Sequence, residues 1–186
     1  RNICDENKIV LIFDECTSGF RETFGGIHSK YDVIPDMAIY GKALGNGYAI
    51  TSVVGKRNLM ESAQDTFISS TFWTEKIGPA AALKTLEVME RERSWEKISK
   101  FGQYIRDGWE SIASKHKLNI VIEGIPALST FRFVGEYSLE MKTLFSQEML
   151  KEGYLATNIF YPSTAHNKEI LDGYLLKVDK TFDLIK

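Results

Sequence analysis

Lys8-Ile9-Val10-Leu11-Ile12-Phe13 is a nearly unbroken apolar run, largely β-branched, that stops at the paired acids Asp14-Glu15. An apolar run of this length without alternation reads as a strand covered on both faces of a parallel sheet. Two carboxylates directly after it put charge at the strand's carboxyl end, where open α/β sheets bind ligands. One of the two acids can equally well cap the turn that follows.

The pattern returns after a long loop. Residues 16–36 are rich in Gly, Ser, Thr, Arg and aromatics and show no helical period. They read as a loop with at most one helical turn, and loops of this length inside compact domains are usually functional. Met37-Ala38-Ile39-Tyr40 then re-enters the core as a strand and runs into Gly41-Lys42-Ala43-Leu44-Gly45-Asn46-Gly47. Three glycines around one lysine predict a backbone that approaches something closely. Lys42 is either a solvated loop lysine or a nucleophilic amine, since desolvation favours the neutral form that attacks a carbonyl. Asp14 and Lys42 are 28 residues apart, each just past a strand end, so neighbouring parallel strands would bring them into one crevice. A third strand is predicted at 49–54, closed by Gly55.

Composition narrows the function classes. With 186 residues, 44% apolar and 26% charged, the chain can bury a sizeable core. No apolar run reaches the roughly 18 residues of a membrane span. A net charge of −2, with Lys and Arg scattered among acids, gives no footprint for nucleic acid or an anionic membrane. Cys4 and Cys16 are not spaced like a zinc site or a redox pair and suggest a reducing compartment. With no Asn-x-Ser/Thr sequon and no signal-peptide core, the expected location is the cytoplasm. A first residue that is not Met, with a strand within ten residues of it, predicts a piece of a longer protein. His28, His116 and His166 are far apart, so no dedicated metal site is expected. The glycines match neither G-x-G-x-x-G nor the phosphate loop, whose lysine follows its glycines.

Further along, Phe67-Ile68-Ser69-Ser70-Thr71-Phe72-Trp73-Thr74 is dense in hydroxyls ahead of a helix predicted from near Gly78-Pro79. Such a segment suits a phosphate at a helix N-terminus and equally suits ordinary capping. That helix runs through Ala80, Ala81, Leu83, Leu86 and Met89, its alanines suggesting tight packing. Glu90-Arg91-Glu92-Arg93 reads as a solvated face, and Ser94 as the cap of a second helix carrying Ile98, Phe101, Ile105, Trp109 and Ile112. Strands at 118–122, 128–134 and 154–161 alternate with helices at 138–151 and 169–185. The expected fold class is α/β: residues 1–93 form part of a mostly parallel sheet domain, and 94–186 a small α+β domain.

Leu11-Ile12-Phe13-Asp14-Glu15-Cys16-Thr17-Ser18-Gly19-Phe20-Arg21, with Pro35-Asp36 and Gly41-Lys42-x-Leu44-Gly45-x-Gly47, resembles the signature of class III aminotransferases. The stretch from Thr71-Phe72 to Ala80-Ala81-Ala82-Leu83-x-Thr85-Leu86-Glu87 is similar to the segment that follows it. Within the class the glutamate-1-semialdehyde aminomutase group looks nearest, helped by Ser163-x-Ala165-His166.

The resemblance implies fold type I with pyridoxal 5′-phosphate (PLP), and a cytoplasmic homodimer whose active site lies at the subunit interface. Lys42 would be the Schiff-base lysine, which also shuttles a proton. Asp14 would pair with the pyridine nitrogen, and Cys16 would pack on the ring. Thr71, with Ser70 beside it, would reach the cofactor phosphate of the neighbouring subunit. Arg21 is a candidate for a substrate carboxylate and equally for an ion pair with a neighbouring acid. The glycines would then make room for the pyridine ring. The implied reaction moves an amino group from an amine donor to an aldehyde or keto acceptor; the alternatives are an aminomutase of the glutamate-1-semialdehyde type, a racemase, or an inactive homologue used as a scaffold. The family's phosphate cup and second stacking aromatic would lie upstream of Arg1, so this chain alone is expected to be inactive. The aminomutase group has an acidic gate shortly before Ser-x-Ala-His. Residues 154–161 contain no acid, which points away from glutamate-1-semialdehyde itself.

Overall fold

The computed structural model describes residues 1–72 and 74–186, and Trp73, part of the hydroxyl-rich segment, lies outside the described residues. The chain divides into two compact units, Arg1–Trp95 and Glu96–Lys186.

The first unit begins with a short helix α1 (Asn2–Glu6) and holds a sheet of β1 (Ile12–Asp14), β2 (Met37–Tyr40) and β3 (Ser52–Gly55), in that order. Strand β2 falls where the apolar run predicts it. Strand β1 is shorter than the run, and Ile9, Val10 and Ile12 stay exposed, Ile12 at 51%. The expected cover on both faces is thus not supplied by the described residues, because β1 is an edge strand paired with β2 alone. β1 and β2 are parallel, with Asp14 opposite Ile39, while β2 and β3 are antiparallel, with Tyr40 opposite Ser52. The sheet is therefore mixed rather than mostly parallel. The connection over 41–51 falls short of the dozen or more residues a parallel crossover needs, so β3 has to return antiparallel. A short helix α2 (Arg57–Met60) follows, then α3 (Ile77–Glu92), which buries Gly78, Ala82 and Met89, half-buries Ala81 and leaves Ala80 and Leu83 exposed.

Arg93, at φ +49°, is the single residue between α3 and α4 (Ser94–His116). Ser94 is accordingly the first residue of α4 instead of standing ahead of it. Within the second unit, β4 (Ile120–Glu123), β5 (Ser129–Phe133) and β6 (Ile159–Phe160) form an antiparallel sheet in that order. Helices α5 (Ser138–Lys151) and α6 (Lys168–Ile185) complete the unit, and the Asn167 side chain caps α6 by accepting from the Ile170 N–H. The strand expected over 154–161 shrinks to two residues. Asn158 leads into it by donating from its side chain to the Phe131 carbonyl, and Pro162, which has no N–H to offer a ladder, follows directly.

The spacing read for α4 is the buried face: Ile105 and Trp109 join Phe131 and Phe133 of β5, Phe145 of α5 and Phe182 of α6 in one core. Phe131 is its centre, meeting Trp109, Phe133, Phe145 and Phe182 edge-on at 4.9–5.8 Å between ring centres. Gly102 lets α4 approach the backbone, since a Cβ there would lie 1.8 Å from the Pro126 carbonyl oxygen. A carbonyl cannot rotate away as a side chain does. Gly102→Ala is expected to destabilise the protein by about 1–3 kcal/mol, read as a lower urea midpoint at unchanged slope.

Candidate active site

Because β1 and β2 are parallel, their carboxyl ends open at the same edge of the sheet. Asp14 ends β1 and Tyr40 ends β2. The two chains stay together past that edge: the Lys42 Nζ donates a hydrogen bond to the Thr17 Oγ1 at 2.5 Å. A Cβ on Gly41 would meet the Cys16 Sγ at 2.8 Å, so the thiol sits against the backbone beside Lys42.

The two acids after β1 have divided roles. Glu15 is only 2% exposed and receives the N–H groups of Ile27 and His28, with the His28 Nδ1 at 2.6 Å. It closes the long loop 16–36 back onto the strand end, and its charge together with burial holds the Tyr40 hydroxyl above its usual pKa, burial being the larger cause. Asp14 is exposed. Its Oδ1 accepts from the Cys16 N–H at 3.0 Å, the turn-capping arrangement, and among the described residues its Oδ2 has no hydrogen-bond partner. Glu15→Ala is expected to cost about 1–3 kcal/mol by stripping two loop N–H groups of their acceptor, and Glu15→Gln less, since one oxygen remains; thermal unfolding of the three proteins checks the order.

Lys42 opens a single 3-10 turn, Lys42–Leu44, and has φ +42°. A side chain in the left-handed region is uncommon, and glycine would occupy it without strain. The neighbouring glycines serve the loop itself. Gly41 admits the Cys16 thiol and the Thr51 methyl, a Cβ on Gly45 would lie 2.2 Å from the Tyr48 carbonyl oxygen, and Gly47 has φ +105°. Protein neighbours thus explain Gly41 and Gly45, while at Gly47 the positive φ is what favours glycine.

Of the other expected site residues, Arg21 joins this group's loop, whereas Ser70 and Thr71 share no hydrogen bond with it among the described residues. The Arg21 Nε donates to the Thr17 carbonyl at 3.4 Å, which ties it to the same loop. Ser70 accepts from the Phe72 N–H, and both Ser70 and Thr71 are exposed beside Phe67, which is 97% exposed. Among the described residues no hydrogen bond joins Ser70 or Thr71 to Asp14, Cys16 or Lys42. In the sequence Glu15 stands only as one of two acids after β1, and Thr17 has no role of its own. The available signal for Thr17 is its place in the turn three residues past Asp14, just beyond a strand parallel to the one that delivers Lys42. No described cluster of His, Cys, Asp and Glu has the size to hold a metal ion, and no described helix is long and apolar enough to cross a membrane.

An amine and a carboxylate at adjacent parallel strand ends, with a thiol and a hydroxyl between them, suit a carbonyl cofactor. The chain is 35% identical over 134 residues to the 3-aminobutyryl-CoA aminotransferase of Cloacimonas acidaminovorans, covering 72% of this chain and 32% of that protein. It is 31% identical over 191 residues to the glutamate-1-semialdehyde 2,1-aminomutase of Methanococcoides burtonii, covering 92% of this chain and 44% of that one. The chain thus spans less than half the length of these curated relatives. Its fold is shared with the FumI protein of Sphingopyxis sp. MTA144, solved in its PLP internal aldimine form, at a TM-score of 0.93 and 24% identity over all of this chain and 45% of that one. It is likewise shared with an omega-transaminase from Sphaerobacter thermophilus, at a TM-score of 0.88 and 19% identity over 97% of this chain and 45% of that one. The family model for class-III aminotransferases matches residues 1–159, which take in both strand ends and the lysine loop, and the chain belongs to that family.

Proposed function

We propose that this chain is the C-terminal part of a PLP-dependent aminotransferase that moves an amino group from a small-molecule amine donor to an aldehyde or keto acceptor. The observation that carries the reading is Lys42, a lysine kept in the left-handed region at the end of β2 with its amine beside the Asp14 turn. The residues present fit the cofactor. Lys42 would hold it through Nζ, Cys16 would pack on the ring, and the open Oδ2 of Asp14 would hold a proton on the pyridine nitrogen. PLP supplies the carbonyl carbon for amine exchange and an electron sink for the pair left when a substrate C–H bond breaks. Freed by an incoming amine, the Lys42 Nζ is the base that takes that proton and returns it. Arg21 would meet a substrate carboxylate.

Residues 1–93 would form the second half of a large fold type I domain and 94–186 its small C-terminal domain. The exposed apolar edge of β1 supports a continuation of that sheet. Ser70 and Thr71 would reach the cofactor phosphate of a second subunit, and the exposed Phe67, Ile68 and Phe72 around them support a homodimer surface there. Two unpaired cysteines, Cys4 and Cys16, support a cytoplasmic location.

An aminomutase of the glutamate-1-semialdehyde type is the second reading, favoured by relatives of that name. The same lysine and aspartate would serve either outcome. Nitrogen-15 in the amine donor separates them: given full-length protein, PLP and a separate keto acid, the label is expected in a new amine built on the acceptor's skeleton. Label that only migrates along its original skeleton makes the enzyme a mutase. A protein that retains no cofactor is neither.

A further inference from the structure

We infer that Thr17 is a positioning residue that aims the Lys42 amine, an inference that rests on the reading of Lys42 given above. Its hydroxyl oxygen accepts from the Lys42 Nζ, and both ends of that contact are held by backbone.

On the Thr17 side, Asp14 fixes the Cys16 N–H, and the Gly19 N–H donates to the Glu15 carbonyl at 2.8 Å. Gly19 in turn lies against the Tyr40 ring, where a Cβ would come within 2.6 Å. The loop that presents the hydroxyl is therefore clamped to both strands. On the other side, the Leu44 N–H donates to the Gly41 carbonyl and the Asn46 N–H to the Lys42 carbonyl, closing the turn that carries the lysine. Between these fixed points lies only the flexible four-carbon stem of Lys42, which without a partner would sample many rotamers in solvent. The hydroxyl removes that freedom.

A hydroxyl also suits the task better than a carboxylate. It accepts from an ammonium and donates to the lone pair of a neutral amine, so the tether survives loss of the amine's proton. A carboxylate in the same place would accept from the amine but could donate nothing in return.

The test compares Thr17→Val, which keeps the branched shape, and Thr17→Ser, which keeps the hydroxyl, in the full-length protein freed of cofactor. Two rates are read: acetylation of Lys42 by acetic anhydride relative to the chain's other lysines, by peptide mass spectrometry, and capture of added PLP, by absorbance. Valine is expected to raise Lys42 acetylation about threefold, because the amine is released, and to slow PLP capture about tenfold, because it is no longer aimed. Serine restores both. A structural disturbance would move the two rates the same way. The inference is overturned if valine leaves acetylation unchanged, if both rates move together, or if serine behaves as valine. Failure of the Thr17 protein itself to capture PLP sinks the proposed function instead, and the acetylation ratios of the three proteins then decide the tether alone.

Discussion

Lys42→Ala in the full-length protein is expected to abolish the absorbance of lysine-bound PLP and to lower amino-group transfer by on the order of 10³-fold or more, since on the proposed function it removes both the cofactor's anchor and the base. Stability should hardly change. Lys42 is exposed, and among the described residues its side chain makes one hydrogen bond, to Thr17. Two further variants separate the possible causes. Lys42→Arg keeps a positive charge able to donate to Thr17, but a guanidinium stays protonated and cannot act as a neutral amine, so the loss should match that of alanine. Lys42→Gly removes a side chain from the left-handed region at φ +42°, where a Cβ costs about 1–2 kcal/mol, and is expected to be more stable than the native protein while equally inactive. That combination is the signature of a residue kept for its chemistry against the preference of the backbone. If Lys42→Ala binds PLP through a covalent link and turns over at the native rate, another amine carries the cofactor.

How much of this was legible in the sequence depends on whether a pattern is local. β2 announces itself as an apolar run and α4 through apolar periodicity, with Ile98, Ile105 and Trp109 buried on the face that its spacing predicts, while α5 and α6 fall where helices are expected. β1 was read too long and too buried, because composition reports what a strand prefers and says nothing of which neighbours this chain supplies. The direction of β3 was hidden for a different reason. It follows from connection length, not from the strand's own residues. At the site, Asp14 and Lys42 could be paired from their strand-end positions, whereas the split between Asp14 and Glu15 could not. Adjacent acids look alike in sequence, and only the return of Ile27 and His28 onto Glu15 shows which one is committed to the fold. For Ser70 and Thr71 the hydroxyl-rich segment suits a phosphate or ordinary capping, and only the reach to a second subunit's cofactor comes from resemblance. The described residues leave them on an exposed segment, as a role toward a second subunit would require.

That split between the acids makes Asp14→Asn the most informative change after Lys42. Asparagine keeps the side-chain oxygen that accepts the Cys16 N–H, so the turn that presents Cys16 and Thr17 should survive and the urea midpoint should stay within experimental scatter of the native value. What disappears is the negative charge. A neutral amide cannot stabilise a protonated pyridine nitrogen, and without that proton the ring is a poor acceptor for the electron pair of the broken C–H bond. PLP capture by Lys42 is therefore expected to persist, with kcat falling on the order of 10²–10³-fold and KM changing much less. Asp14→Ala adds loss of the turn bond, about 1 kcal/mol of stability, to the same catalytic defect. The contrast is diagnostic because the two oxygens of this carboxylate differ, one bonded to the backbone and the other, open among the described residues, being the one to which the proposed proton-holding role falls. A native kcat in Asp14→Asn would mean that the open oxygen faces nothing that matters to the reaction. The buried Glu15 would not replace it, since its oxygens are already taken by Ile27 and His28, and the proton-holding group would then have to come from another part of the protein.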